Sequence, residues 1–137
     1  MNNSVLDKFK DYFTDMDLSN NTALDEIYSD NVVFIDPIHK IQGLENLVQY
    51  FEKLNSNLIA GSFFFTDESI TDNKAYLSWE MNLKLKRPKK NIIASGISVL
   101  TIDTKIIHHR DYFDAGELFY EHVPILGSII RLLKNKL

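Results

Sequence analysis

The chain predicts an α+β domain in which helices pack on one face of a curved antiparallel sheet. Three observations carry that prediction. Apolar residues recur at helical spacing in the first third of the chain, residues 74 to 86 alternate strictly between apolar and polar, and a strand-like string follows at His108-His109-Arg110-Asp111-Tyr112-Phe113-Asp114. Helices thus precede strands, and a last helical pattern closes the chain.

Val5, Leu6, Phe9, Tyr12, Phe13 and Met16 share one helical face, and Asn3 or Ser4 is available as N-cap, so an amphipathic first helix starts there. Leu24, Ile27 and Tyr28 suggest a short second helix. Val32 to Ile35 is a β-branched and aromatic run that ends at Asp36-Pro37, where proline removes a backbone donor and stops or turns the strand. After Gly43, the residues Leu44, Leu47, Val48, Phe51 and Leu54 make a third helix ending near Asn55.

Ala75, Leu77, Trp79, Met81, Leu83 and Leu85 then point one way while polar residues between them point the other, the pattern of a half-buried antiparallel strand. A basic turn, Arg87-Pro88-Lys89-Lys90, leads into a strand from Asn91 through Ile102, and Asp103-Thr104 turns into the histidine-bearing strand. Three adjacent antiparallel strands are expected. From Gly116 to Leu137, Leu118, Val123, Leu126, Ile129, Ile130, Leu133 and Leu137 keep helical spacing around Pro124, with Arg131, Lys134 and Lys136 suited to a helix C-terminus.

At 137 residues and 45% hydrophobic the chain fits one domain, residues 1–137, with an ordinary core. A net charge of -4 supplies no cationic footprint, which argues against nucleic acid as a partner. The absence of cysteine excludes a disulfide framework and a thiolate metal site and agrees with a reducing compartment. Met1-Asn2-Asn3-Ser4 lacks basic residues, Asp7 and Lys8 interrupt any signal-like apolar stretch, and no apolar run approaches the roughly 20 residues that span a bilayer. A soluble cytoplasmic protein without stable membrane association is expected. His39, His108, His109 and His122 lack a ligand spacing, so neither a metal nor a cofactor is expected.

Chemistry concentrates in two places. Strand alternation puts His109, Asp111 and Phe113 on one face and His108, Arg110 and Tyr112 on the other. A buried charge is costly unless paired, so an inward His109/Asp111 couple is a candidate acid/base pair, although a purely structural hydrogen-bonded pair gives the same pattern. Asp36 at the end of an apolar strand is a candidate base, and equally a turn cap. Tyr12 lies on an apolar stripe where core tyrosines are common.

The strings "SDNVVFIDP" and "HHRDYFD", in an order of two helices, a strand ending in Asp-Pro, a third helix and a long meander, resemble the nuclear transport factor 2-like cone across essentially the whole chain. Within that superfamily the chain is similar to the SnoaL-like proteins, the ketosteroid isomerases and the limonene epoxide hydrolases, and its tail "DAGELFYEHVPILGSIIRLL" resembles an uncharacterised SnoaL-like subgroup. The isomerase resemblance places the general base on Asp36 and the oxyanion-donating tyrosine on Tyr12. Its second donor falls in Gly96-Ile97-Ser98, where no acid stands and only Ser98 can donate. The hydrolase resemblance maps a last-strand aspartate onto Asp111, whereas the strand Leu77-Ser78-Trp79-Glu80-Met81-Asn82 lacks the arginine that chemistry uses. SnoaL-like cyclases resemble this chain in using a last-strand aspartate for proton transfer.

The expected function is therefore that of a small apolar-molecule pocket protein, an acid/base isomerase, cyclase or hydrolase working through Asp36, Asp111, His109 and Tyr12. Trp79, Met81, Phe113 and Ser98 are expected to line the pocket. A non-catalytic carrier of the same fold, or a dimeric interaction module, is the alternative. The resemblance also implies a homodimer formed through the sheet.

Overall fold

The computed structural model describes residues 3–16 and 21–114. The expected C-terminal helix lies outside the described residues. The elements are α1 (Asn3–Thr14), α2 (Asn21–Ile27), β1 (Tyr28–Ile35), β2 (Lys40–Gln42), α3 (Leu44–Ser56), β3 (Leu58–Thr71), β4 (Lys74–Leu85), β5 (Lys90–Asp103) and β6 (Lys105–Phe113). Six strands form one curved sheet in the order β2-β1-β6-β5-β4-β3, and the three helices complete the α+β cone expected from the sequence.

The first and third helices stand where their periodicity places them, and their apolar faces meet the sheet: Leu6, Phe9 and Phe13 of α1, and Leu47 and Phe51 of α3, are buried. Gly43 opens α3 at φ 89°, a backbone conformation that suits glycine, and its N–H donates to the carbonyl of Val32 at 2.8 Å. That bond ties the start of α3 to β1. Along β4 the side chains of Ala75, Leu77, Trp79, Met81 and Leu83 are buried, as alternation requires, while Glu80, Asn82 and Lys84 face out.

Four features differ from the expectation. Tyr28 is the first residue of β1, not the last of the second helix. The short edge strand β2 pairs with the end of β1, so Asp36-Pro37 turns a hairpin. Residues 58–71, to which the sequence pattern assigns no element, form the other edge strand, β3; its second half is exposed and the register shifts between Phe65 and Asp67, which breaks the period of two. Finally, β1 runs parallel to β6, so the sheet is antiparallel except at that one pairing.

Register within the sheet aims the site. Ile106 and His109 of β6 are both buried although strict alternation would separate them, because the pairing with β5 shifts between Ile102 opposite Ile106 and Thr101 opposite His108. The extra residue resets parity. His109, Asp111 and Phe113 consequently face the helices, opposite Leu100, Ser98 and Gly96.

Candidate functional site

A hollow of about 110 Å³ lies between α1, α3 and the concave face of the sheet. Rings of Phe13, Phe34, Phe51, Phe63, Trp79 and Phe113 surround it, and Asp36, Tyr50, His109 and Asp111 bring its polar atoms. Two wider depressions, of about 330 and 400 Å³, are open surface grooves that touch neither His109 nor Asp111.

Five side chains form one hydrogen-bonded chain through this region. The Trp79 indole N–H donates to Ser98 Oγ at 2.9 Å, and Ser98 donates to Asp111 Oδ1 at 2.5 Å. His109 Nε2 meets that same oxygen at 2.6 Å, and on the far side of the ring Nδ1 stands 2.8 Å from the Tyr28 hydroxyl. Ser98, His109, Trp79 and Tyr28 are all buried. Gly96 makes the arrangement possible, since a Cβ there would stand 2.5 Å from the Trp79 ring and 2.6 Å from the Tyr112 carbonyl oxygen. The indole crosses the bare backbone to reach Ser98.

Burial, then the Asp111 carboxylate and Tyr12, push the Tyr28 phenol well above its ordinary range. It keeps its proton. Asp111 has Oδ1 held by Ser98 and His109, an arrangement that fixes the carboxylate while Oδ2 stays outside these bonds.

Asp36 closes the β1–β2 turn. Its Oδ1 accepts from the backbone N–H of Ile38 at 2.8 Å and of His39 at 2.7 Å, and the His39 ring lies 3.2 Å away. The turn-cap arrangement is present, and the carboxylate also borders the hollow. Its Oδ2 is the acceptor for Tyr50 at 3.4 Å, a long contact. Burial, followed by the charges of Asp36 and Asp111, pushes the Tyr50 phenol far up, which places Tyr50 within the field of both carboxylates.

Of the residues the sequence singled out, Asp36, Asp111, His109, Trp79, Met81 and Phe113 border one hollow. Ser98 stands behind Asp111, beside a void of about 10 Å³, and holds that carboxylate instead of lining the hollow. Tyr12 does not join them. Its side chain borders the groove between α1 and α2 with Lys8 and Glu26, because successive helical residues are turned by about 100° and Phe13 takes the inward direction. The tyrosines near the carboxylates are Tyr50 and Tyr28, which sequence reasoning missed. Tyr50 sits one position before Phe51 on the apolar side of α3, and nothing local to Tyr28 marks its partner 81 positions away. Among the described residues no three His, Asp or Glu groups are placed to hold a metal ion, and no helix is long and apolar enough to cross a membrane.

A SnoaL-like domain profile matches residues 6–109, most of the chain and nearly all of the cone. The chain belongs to the SnoaL-like family. No curated protein matches it significantly. Solved structures similar to this SnoaL-like chain include an NTF2-like protein of unknown function from an Exiguobacterium species, with 17% identity and a TM-score of 0.68 over 81% of this chain and 98% of that one. An LEH-like epoxide hydrolase from M. tuberculosis has 13% identity and a TM-score of 0.72 over 93% and 92% of the two chains. A protein with a ketosteroid isomerase-like fold from Catenulispora acidiphila, in complex with trimethylamine, has 12% identity and a TM-score of 0.73 over 83% and 88%. At such identities these likenesses establish the shared cone.

Proposed function

We propose that this SnoaL-like protein is an acid/base enzyme for a small, mainly apolar molecule, with Asp111 as the group that moves the proton. The observation that carries this reading is the way Asp111 is held. One oxygen is fixed by Ser98 and His109, and the same side chain borders an aromatic hollow it shares with Asp36 and Tyr50. A carboxylate whose orientation is fixed, beside bound substrate, is the geometry that general-base transfer needs.

In the reaction proposed, Asp111 Oδ2 takes a proton from a carbon next to a carbonyl. Tyr50, whose phenol stays protonated, swings from its long contact with Asp36 to donate to the developing oxyanion, taking the part first assigned to Tyr12. Asp111 then returns the proton to another carbon, so charge and atoms balance without a cofactor. Asp36 anchors the turn and keeps Tyr50 in reach. A hollow of about 110 Å³ is smaller than an engineered cavity of about 150 Å³ that takes benzene, so the reacting part of the substrate is of that size or below.

The test is exchange of carbon-bound hydrogen in deuterated buffer, followed by NMR over a panel of small ketones. Asp111→Asn keeps the acceptor oxygen Oδ1 and removes the base, and is expected to abolish exchange while leaving the melting temperature within a few degrees. Exchange by the variant at the rate of the parent overturns the proposal. A non-catalytic binding protein is the second reading, favoured by the small volume, since ligand pockets generally span about 300–1,000 Å³. Ligand-dependent thermal stabilisation without exchange in the parent protein supports it over the first.

A homodimer is also proposed. The outer face of the sheet exposes Phe64, Ile93, Ile97 and Tyr112, with Ile97 directly opposite Tyr112, an apolar patch suited to a second copy. Sedimentation equilibrium at micromolar concentration decides between dimer and monomer. The lack of cysteine supports a cytoplasmic setting.

A further inference from the structure

We infer that Tyr28 is a positioning residue that holds the His109 imidazole in one tautomer, with its proton on Nε2 and directed at Asp111. Helical spacing assigns Tyr28 no role beyond an apolar stripe, and it does not border the hollow. It stands at the start of β1, fully buried, and reaches His109 because β1 and β6 run side by side in parallel. The two ring planes are nearly parallel, 6° apart with centroids separated by 5.9 Å, and the phenol oxygen stands 2.8 Å from Nδ1.

The direction of that bond follows from what surrounds it. Phe9 and Phe13 of α1 and Phe34 of β1 present ring edges or faces to the imidazole, with centroids 5.4, 6.4 and 4.8 Å away. None of them offers a hydrogen-bonding atom. The titratable groups in contact with His109 are therefore Tyr28 on one nitrogen and Asp111 on the other, with Tyr12 near enough to Tyr28 to affect it. A buried phenol that keeps its proton donates it, so Nδ1 accepts. A neutral imidazole then carries its hydrogen on Nε2, which donates to Asp111 Oδ1.

A proton on Nδ1 would reverse the bond and make the Tyr28 oxygen its acceptor. The hydroxyl of Tyr28 would need another acceptor, and its hydrogen bond among the described residues is the one to His109. Tyr28 thus favours a bare Nδ1 and leaves the ring proton on Nε2, toward Asp111. The catalytic consequence rests on the acid/base reading above. The tautomer itself does not.

The test uses the full chain labelled with ¹⁵N at histidine. At neutral pH the parent protein is expected to show His109 with a protonated Nε2 and an unprotonated, hydrogen-bonded Nδ1, and Tyr28→Phe is expected to lose that single pattern while retaining the circular dichroism and Trp79 emission of the parent. A parent protein with Nδ1 protonated, or a folded variant with an unchanged pattern, overturns the inference. Should Tyr28→Phe fail to fold, the parent spectrum alone decides. Where ketone exchange is measurable, the variant is expected to lower kcat about ten- to hundredfold, the scale known for groups that orient a metal-bound imidazole, with KM unchanged. A locked tautomer released by the variant, in a protein that exchanges no ketone, upholds the role of Tyr28 while the enzyme reading falls.

Discussion

Replacing Ser98 by alanine removes one hydroxyl and breaks two buried bonds at once. The Trp79 indole N–H loses its acceptor at 2.9 Å and Asp111 loses a donor at 2.5 Å. An orphaned buried donor costs about 1–3 kcal/mol and a bond to a charged group contributes about 1.5–3 kcal/mol, and because the two share one hydroxyl a net loss of about 3 kcal/mol is expected. With an unfolding entropy of about 2.1 cal/mol/K per residue, a chain of 137 residues loses about 10 °C in melting temperature. Calorimetry measures the stability. The single tryptophan measures the site, since Trp79 is the bond's other end and the emission of the native state must shift when its N–H partner disappears. A fall under about 3 °C with unchanged emission would refute the network as the element that holds Asp111.

Gly96→Ala drives a methyl group into the Trp79 ring and the Tyr112 carbonyl oxygen, at 2.5 and 2.6 Å. The indole can swing but the backbone of β6 cannot, so urea titration is expected to show a loss of about 3 kcal/mol, the upper part of the range for overpacked cores; a parental midpoint refutes the close approach. His108, on the outer face of β6, is lowered from its usual value near 6.5 by partial burial and then by Lys74, the adjacent His109, Arg110 and Lys40. Because the unfolded chain binds this proton more readily, stability falls as pH drops through that value, and His108→Gln is expected to flatten the profile there. Identical profiles for parent and variant refute the assignment.

Much of the site is readable in the sequence because its decisive signals are local. The alternation of β4 and the string from His108 to Asp114 place Trp79, Met81, His109, Asp111 and Phe113 on one face without any knowledge of neighbours. Asp36-Pro37 marks a strand end through proline's missing donor, and the turn forms there. The edge strand β3 was not readable, since an exposed half and a register shift erase its period. Tyr12 illustrates the opposite failure: it shares the apolar stripe with Phe13, but a turn of about 100° per residue sends the two side chains to different cavities.

By itself, then, the sequence determined which residues each strand and helix presents to its two faces, because backbone geometry repeats every two or about 3.6 residues and needs no partner. Only the tertiary structure decided that Tyr28 caps His109, that Ser98 links Trp79 to Asp111, and that Tyr50 stands beside the carboxylates. Those contacts join strands and helices distant in the chain. They depend on which strands pair, in what direction and with what register, and that is settled by packing the whole apolar surface at once, not by any segment alone.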